Sequence, residues 1–171
     1  MNNDINLHRQ LFVLRLFFQL YCFYSSSTPL IKVTLIFLSD LIDSEFYRWK
    51  YPNVTLSSDK TYELFDKIND MIGYILAYYI ILVSNMVSIK EKQLLLIVLV
   101  YRLIGTIVVF HTGKQSYYVP FVDMFKELFF LFLYVKSTFT RVFVFGILLY
   151  YKIQLEYKFH VVYQSGLFET K

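Results

Sequence analysis

The chain has 171 residues, of which 57% are hydrophobic, 20% aromatic and only 18% charged, where a soluble domain carries about 25% charged residues. A net charge of +4 without a Lys/Arg cluster excludes the basic face that tracks nucleic acid. The single cysteine, Cys22, excludes an intrachain disulfide and a cysteine-based zinc site. There is no glycine loop for phosphate, no dinucleotide fingerprint and no serine–histidine constellation.

Crossing a bilayer takes about 20 mostly apolar residues per helix, and the apolar runs predict six such helices, at about residues 8–24, 28–46, 60–89, 92–112, 118–136 and 139–158. The expected fold is therefore all-α, an integral membrane bundle of six transmembrane helices forming a single domain over 1–171. The runs are too long, and alternate too little, for barrel strands.

The first run is broken by Arg15 and Gln19, an i, i+4 pair that gives the helix a polar stripe or lays it partly in the membrane interface. No small-residue cleavage site follows it, so it does not read as a signal peptide. The second run ends on Asp40 and Asp43, and the third opens on Asp66 and Asp70. Tyr47, Trp49 and Tyr51 lie between them and suit an interfacial aromatic belt. The fourth run, the most apolar, holds Arg102 near its middle. An intramembrane arginine either binds a phosphate, here of an acceptor or a lipid, or pairs with Asp123 or Glu127 on the next helix. Lys126 and Glu127 mark a polar face of the fifth helix, turned into the bundle. His8, His111 and His160 lie at element ends and in links without metal spacing, and are expected in solvent.

Lysines and arginines set the orientation. With the N-terminus in the cytoplasm, that side receives Arg9, Arg48, Lys50, Lys60, Lys67, Lys114, Lys152, Lys158 and Lys171. The other side receives Lys90, Lys92, Lys136 and Arg141. The balance of nine against four places the N-terminus and the aspartate-bearing link on the cytoplasmic side.

Asp40 and Asp43 are spaced i, i+3, and Asp66 and Asp70 are spaced i, i+4. On helices, both spacings stack the two carboxylates on one face. Like charges so placed repel, and an aspartate at a helix centre in lipid costs roughly 2.5–3.5 kcal/mol. A hard divalent cation relieves both costs and commonly bridges carboxylates to substrate phosphates. Two antiparallel helices offering such pairs at one depth would make a one- or two-metal site suited to phosphoryl chemistry. The alternative is that the aspartates are ordinary charges at helix ends, with Asp66 favoured there by the helix dipole.

The stretch Asp40-Leu-Ile-Asp43-Ser44-Glu-Phe-Tyr47-Arg48, followed by Tyr62-Glu-Leu-Phe-Asp66-Lys-Ile-Asn-Asp70, resembles the signature of the CDP-alcohol phosphatidyltransferases. That signature reads D-x-x-D-G-x-x-A-R, a spacer, then G-x-x-x-D-x-x-x-D, at the end of helix 2 and the start of helix 3 of a six-helix membrane enzyme. All four aspartates and the arginine match, while Ser44, Tyr47 and Tyr62 replace the family's two glycines and alanine, and the spacer is longer. Two tyrosines there would fill the nucleotide's space or stack on its base.

The resemblance implies transfer of a phosphatidyl or phosphoalcohol group from a CDP-linked lipid or CDP-alcohol donor to a small alcohol or lipid acceptor, with release of CMP. It implies Mg²⁺ or Mn²⁺ held by Asp40, Asp43, Asp66 and Asp70. Asp70 would also serve as the catalytic base on the acceptor hydroxyl, and Arg48 would meet the nucleotide phosphates. Members of the family are often homodimers. The substitutions at positions 44, 47 and 62 equally suit a non-catalytic relative that keeps the fold and metal site without binding nucleotide. A third reading, a small transporter using carboxylates in an ion path, needs a polar route across the whole bilayer.

Overall fold

The described residues fold into six α-helices: α1 (Asn2–Tyr24), α2 (Pro29–Lys50), α3 (Lys60–Val83), α4 (Ile89–Thr112), α5 (Phe125–Tyr134) and α6 (Thr138–Tyr157). A 3₁₀ turn at Gln115–Tyr118 precedes α5, and a π-helical turn at Lys158–Val162 follows α6. The computed structural model describes residues 2–50 and 60–162, with side chains described for 7–40, 64–114, 116–158 and 160–161. No strand occurs among the described residues, so the expected all-α class holds.

Local chemistry sets the helix ends. Pro29 opens α2, where its missing N–H has no helical partner to lose. Ser88 opens α4 with a capping box: its hydroxyl accepts from the Glu91 N–H at 3.4 Å, and the Glu91 carboxylate accepts from the Ser88 N–H at 2.6 Å. The break before α4 therefore falls at residues 84–88, and the charged stretch 90–92, expected as the link, forms the first turn of the helix. Gly113 ends α4 in the left-handed region (φ 67°), its N–H donating to the Val109 carbonyl at 2.8 Å.

The fifth helix differs from expectation. It spans ten residues instead of 118–136, about 15 Å at 1.5 Å per residue. Pro120 has no N–H to give a helix, and side chains of α4 hold its neighbourhood in another shape. The Tyr101 hydroxyl donates to the Pro120 carbonyl at 2.6 Å, and Arg102 Nη1 donates to the Phe121 carbonyl at 2.6 Å. Asp123 Oδ1 then accepts from the Phe125 N–H at 3.2 Å, where α5 begins.

The chain forms two compact units, Met1–Met86 and Val87–Lys171. In the first, α1, α2 and α3 pack pairwise around Leu11, Val33, Ile36, Phe37, Tyr74 and Ala77. The same interior takes in Arg15, Gln19, Ser39, Asn69 and Asp70. Large apolar side chains are left outside: Val13, Leu14, Phe17, Tyr21 and Tyr24 along α1, and Ile75, Tyr79, Leu82 and Val83 along α3. In the second unit, Leu95, Leu99, Tyr118, Phe125 and Phe129 form the core. Gly105 is buried against the Phe121 ring, which an added Cβ would overlap. No described residue of α6 is buried, although its sequence is apolar.

Among the described residues, α4 is the one helix long and apolar enough by itself to cross a membrane. Its 24 residues reach about 36 Å, against a hydrocarbon core of about 30 Å.

Candidate metal centre

The first unit brings three of the four motif aspartates together. Helix periodicity stacks Asp66 and Asp70 of α3 one turn apart, and α2 delivers Asp40 beside them. One carboxylate oxygen from each of Asp40, Asp66 and Asp70 lies within 4.8 Å of the others. The side chains of Asp43 and Arg48, the remaining residues that the resemblance assigns to metal and nucleotide, lie outside the described residues, as do those of Ser44, Tyr47 and Tyr62.

A residue not assigned to the site sits at its centre. Arg15 Nη1 donates to Asp66 Oδ1 at 2.9 Å and Nη2 to Asp70 Oδ1 at 2.5 Å. Nη2 also lies 3.4 Å from Asp40 Oδ1. The planar fork of a guanidinium suits such two-pronged pairing. Lys67 adds a second cation, donating to Asp66 Oδ2 at 3.2 Å and lying 3.8 Å from Asp70 Oδ2. Three carboxylates thus face two cations, a formal balance of −1. Side-chain exposure rises from 3% at Arg15 and 8% at Asp70 to 13% at Asp66 and 33% at Asp40, so the cluster opens on its Asp40 side.

A buried layer of amides and hydroxyls supports Arg15. Ser39 Oγ accepts from Arg15 Nε at 3.4 Å and from Gln19 Nε2 at 3.1 Å, and donates to the Ile36 carbonyl at 2.6 Å. Gln19 Nε2 also meets the Asn69 carbonyl at 3.4 Å. Asn69 Nδ2 donates to the Phe12 carbonyl at 3.2 Å. Gly73 makes room for this layer, since a Cβ there would stand 2.9 Å from Gln19 Nε2. Two acceptors of the layer, Gln19 Oε1 and Asn69 Oδ1, are buried with no hydrogen-bond donor. Of the two readings of Arg15 and Gln19, the polar stripe is the one observed, and it faces inward.

The donor set fits a hard cation. Carboxylate and amide oxygens are the ligands of Mg²⁺, Mn²⁺ and Ca²⁺, and Asp40, Asp66 and Asp70 could hold one such ion. Two of the oxygens it would use are those that Arg15 engages.

The second unit has its own polar cluster. Arg102 is buried with its guanidinium 4.7 Å from the Tyr118 ring centroid, and its Nη2 lies 3.7 Å from Glu156 Oε1. His160 Nε2 lies 2.9 Å from Glu156 Oε2, and its ring packs against Tyr118 at 5.0 Å. Glu127, which with Asp123 was one of the two expected partners of Arg102, pairs with Lys152 at 2.7 Å, and Glu156 was not expected. His111 is exposed as expected. His8, buried in the first unit, and His160, held by Glu156, are not the solvated residues their positions suggested. The cluster ties the middle of α4 and the end of α6 to the 3₁₀ turn between α4 and α5.

No protein-family model, curated protein or solved structure matches this chain.

Proposed function

We infer that the chain is a multi-pass membrane protein whose first unit binds a divalent cation for group transfer from a CDP-linked donor to an alcohol. The observation that carries this reading is the convergence of Asp40, Asp66 and Asp70, which the resemblance names as metal ligands, within 4.8 Å. Membrane residence is supported by the apolar length of α4 and by the polarity of the first unit, which faces charges inward and large apolar side chains outward. In α1 and α3 the inward charges lower the apolar content that a membrane span is recognised by, without facing lipid.

A Mg²⁺ or Mn²⁺ ion held by the cluster would neutralise charge on the donor pyrophosphate. The chain's own part follows from its carboxylates. Asp70, the most buried of the three, takes the proton of the acceptor hydroxyl. The hydroxyl oxygen attacks the phosphorus that carries the lipid or alcohol group. A new P–O bond forms, the pyrophosphate bridge breaks, and CMP leaves. Arg48 steadies the nucleotide phosphates.

The test is CMP release by purified protein in lipid, supplied with CDP-diacylglycerol, Mg²⁺ or Mn²⁺ and a pool of alcohols. Metal-dependent release by wild type, abolished in Asp70→Asn, is the expected result, and splitting the pool then names the acceptor. Arg15 favours a second reading, a non-catalytic membrane relative, because it already supplies the carboxylates with counter-charge. Absence of release, also with CDP-choline and CDP-ethanolamine, would overturn the first reading in favour of the second.

A further inference from the structure

The oxygens that a cation would use in the first unit already have a cationic occupant. Arg15 engages Asp66 Oδ1 and Asp70 Oδ1 and lies near Asp40 Oδ1, and these residues form the triad whose oxygens cluster within 4.8 Å. Both oxygens accept short, charge-assisted bonds, the stronger kind of protein hydrogen bond. A divalent ion bound to the same oxygens would meet a guanidinium at close range in a poorly hydrated interior, where like charges repel strongly. Simultaneous occupancy is therefore costly.

The layer that supports Arg15 also holds two buried oxygens without a donor. Gln19 is fully buried, and its amide is held against the Ser39 hydroxyl, the same hydroxyl that meets Arg15 Nε. Its Oε1 has no donor, and neither does the buried Oδ1 of Asn69, whose backbone carbonyl meets the Gln19 amide. Buried acceptors without donors are uncommon in folded proteins, and oxygens of this kind are ligands for hard cations.

We propose that Arg15 and a divalent cation are alternative occupants of the Asp40/Asp66/Asp70 triad, so that Arg15 is a built-in competitor that holds the site closed until the cation displaces it. The proposal rests on the metal-binding part of the preceding reading. It adds a residue from α1 that the aspartate motif does not contain. Arg15 and Lys67 supply counter-charge to the three carboxylates.

The probe is Mn²⁺, titrated into the full chain in lipid nanodiscs, with free Mn²⁺ read from its paramagnetic resonance signal. Wild type is compared with Arg15→Met, which removes the guanidinium, and with Arg15→Lys, which keeps the charge and loses the fork. Asp66→Asn is the control for site identity. Arg15→Met is expected to bind Mn²⁺ at least about tenfold more tightly than wild type, as the loss of two charge-assisted hydrogen bonds from the competing state requires. Arg15→Lys is expected to tighten binding by a smaller factor. Mn²⁺ should also raise the melting temperature of Arg15→Met more than that of wild type. If Arg15→Met does not fold, Arg15→Lys decides alone. Equal or weaker affinity in the folded variants, with wild type binding, overturns the competition and leaves the metal site standing. No binding by any of the proteins overturns the competition and the metal site together.

Discussion

Arg15 is the residue on which the first unit turns, since it reaches both other helices through Asp40, Ser39, Asp66 and Asp70. The Ser39 hydroxyl holds that arrangement, taking Arg15 Nε and Gln19 Nε2 together. Ser39→Ala would leave two buried donors short of an acceptor, so we expect it to cost about 1–3 kcal/mol, read from thermal unfolding in detergent. An undisturbed melting temperature would show that Ser39 does not hold Arg15. The aspartates were legible in the sequence because spacings of three and four residues declare one helical face. What Arg15 faces was not, because an isolated arginine in an apolar helix looks the same facing a partner, a lipid head group or water. Only the packing of α1 against α2 and α3 selected the partner.

Among the elements, α4 and α5 departed most from the hydropathy pattern. Hydropathy averages over a window, and it cannot see a single cap or a carbonyl captured from elsewhere. The capping box at Ser88 made helix of the charged stretch 90–92, and α4 side chains held Pro120 and Phe121 out of α5. The relative weights of these devices can be tested in one experiment. Ser88→Ala removes a cap and is expected to cost about 1 kcal/mol. Arg102→Met takes one of its partners from the half-buried Glu156 and frees the Phe121 carbonyl, and is expected to cost about 1.5–3 kcal/mol. Urea or thermal unfolding of the two variants should rank them in that order, and the reverse ranking would assign the second unit's stability to the cap.

At the scale of the molecule, five helices have 20 or more residues and α5 has ten. Ten residues rise about 15 Å, half of a hydrocarbon core of about 30 Å. On the multi-pass reading proposed above, in which the five long helices cross and α5 does not, the number of crossings is odd. The termini would lie on opposite faces of the membrane, where six crossings place them on the same face. Protease protection of tags at the two ends of the full chain in sealed vesicles measures this: protection of one tag only is expected, and protection of both or neither returns the count to an even number.

The sequence by itself determined that the chain is helical, that its helices are long and apolar, and that Asp66 and Asp70 share a face, because these follow from composition and from a 3.6-residue period acting over short distances. It also marked Arg15 and Gln19 as one polar stripe. Tertiary structure decided what that stripe faces, that Asp40 joins Asp66 and Asp70 from another helix, that Arg102 meets Glu156, and that α5 is half its expected length. Each of these depends on side chains far apart in the chain meeting in a buried space, where an unpaired charge or carbonyl is costly and the available partner, not the local pattern, sets the outcome.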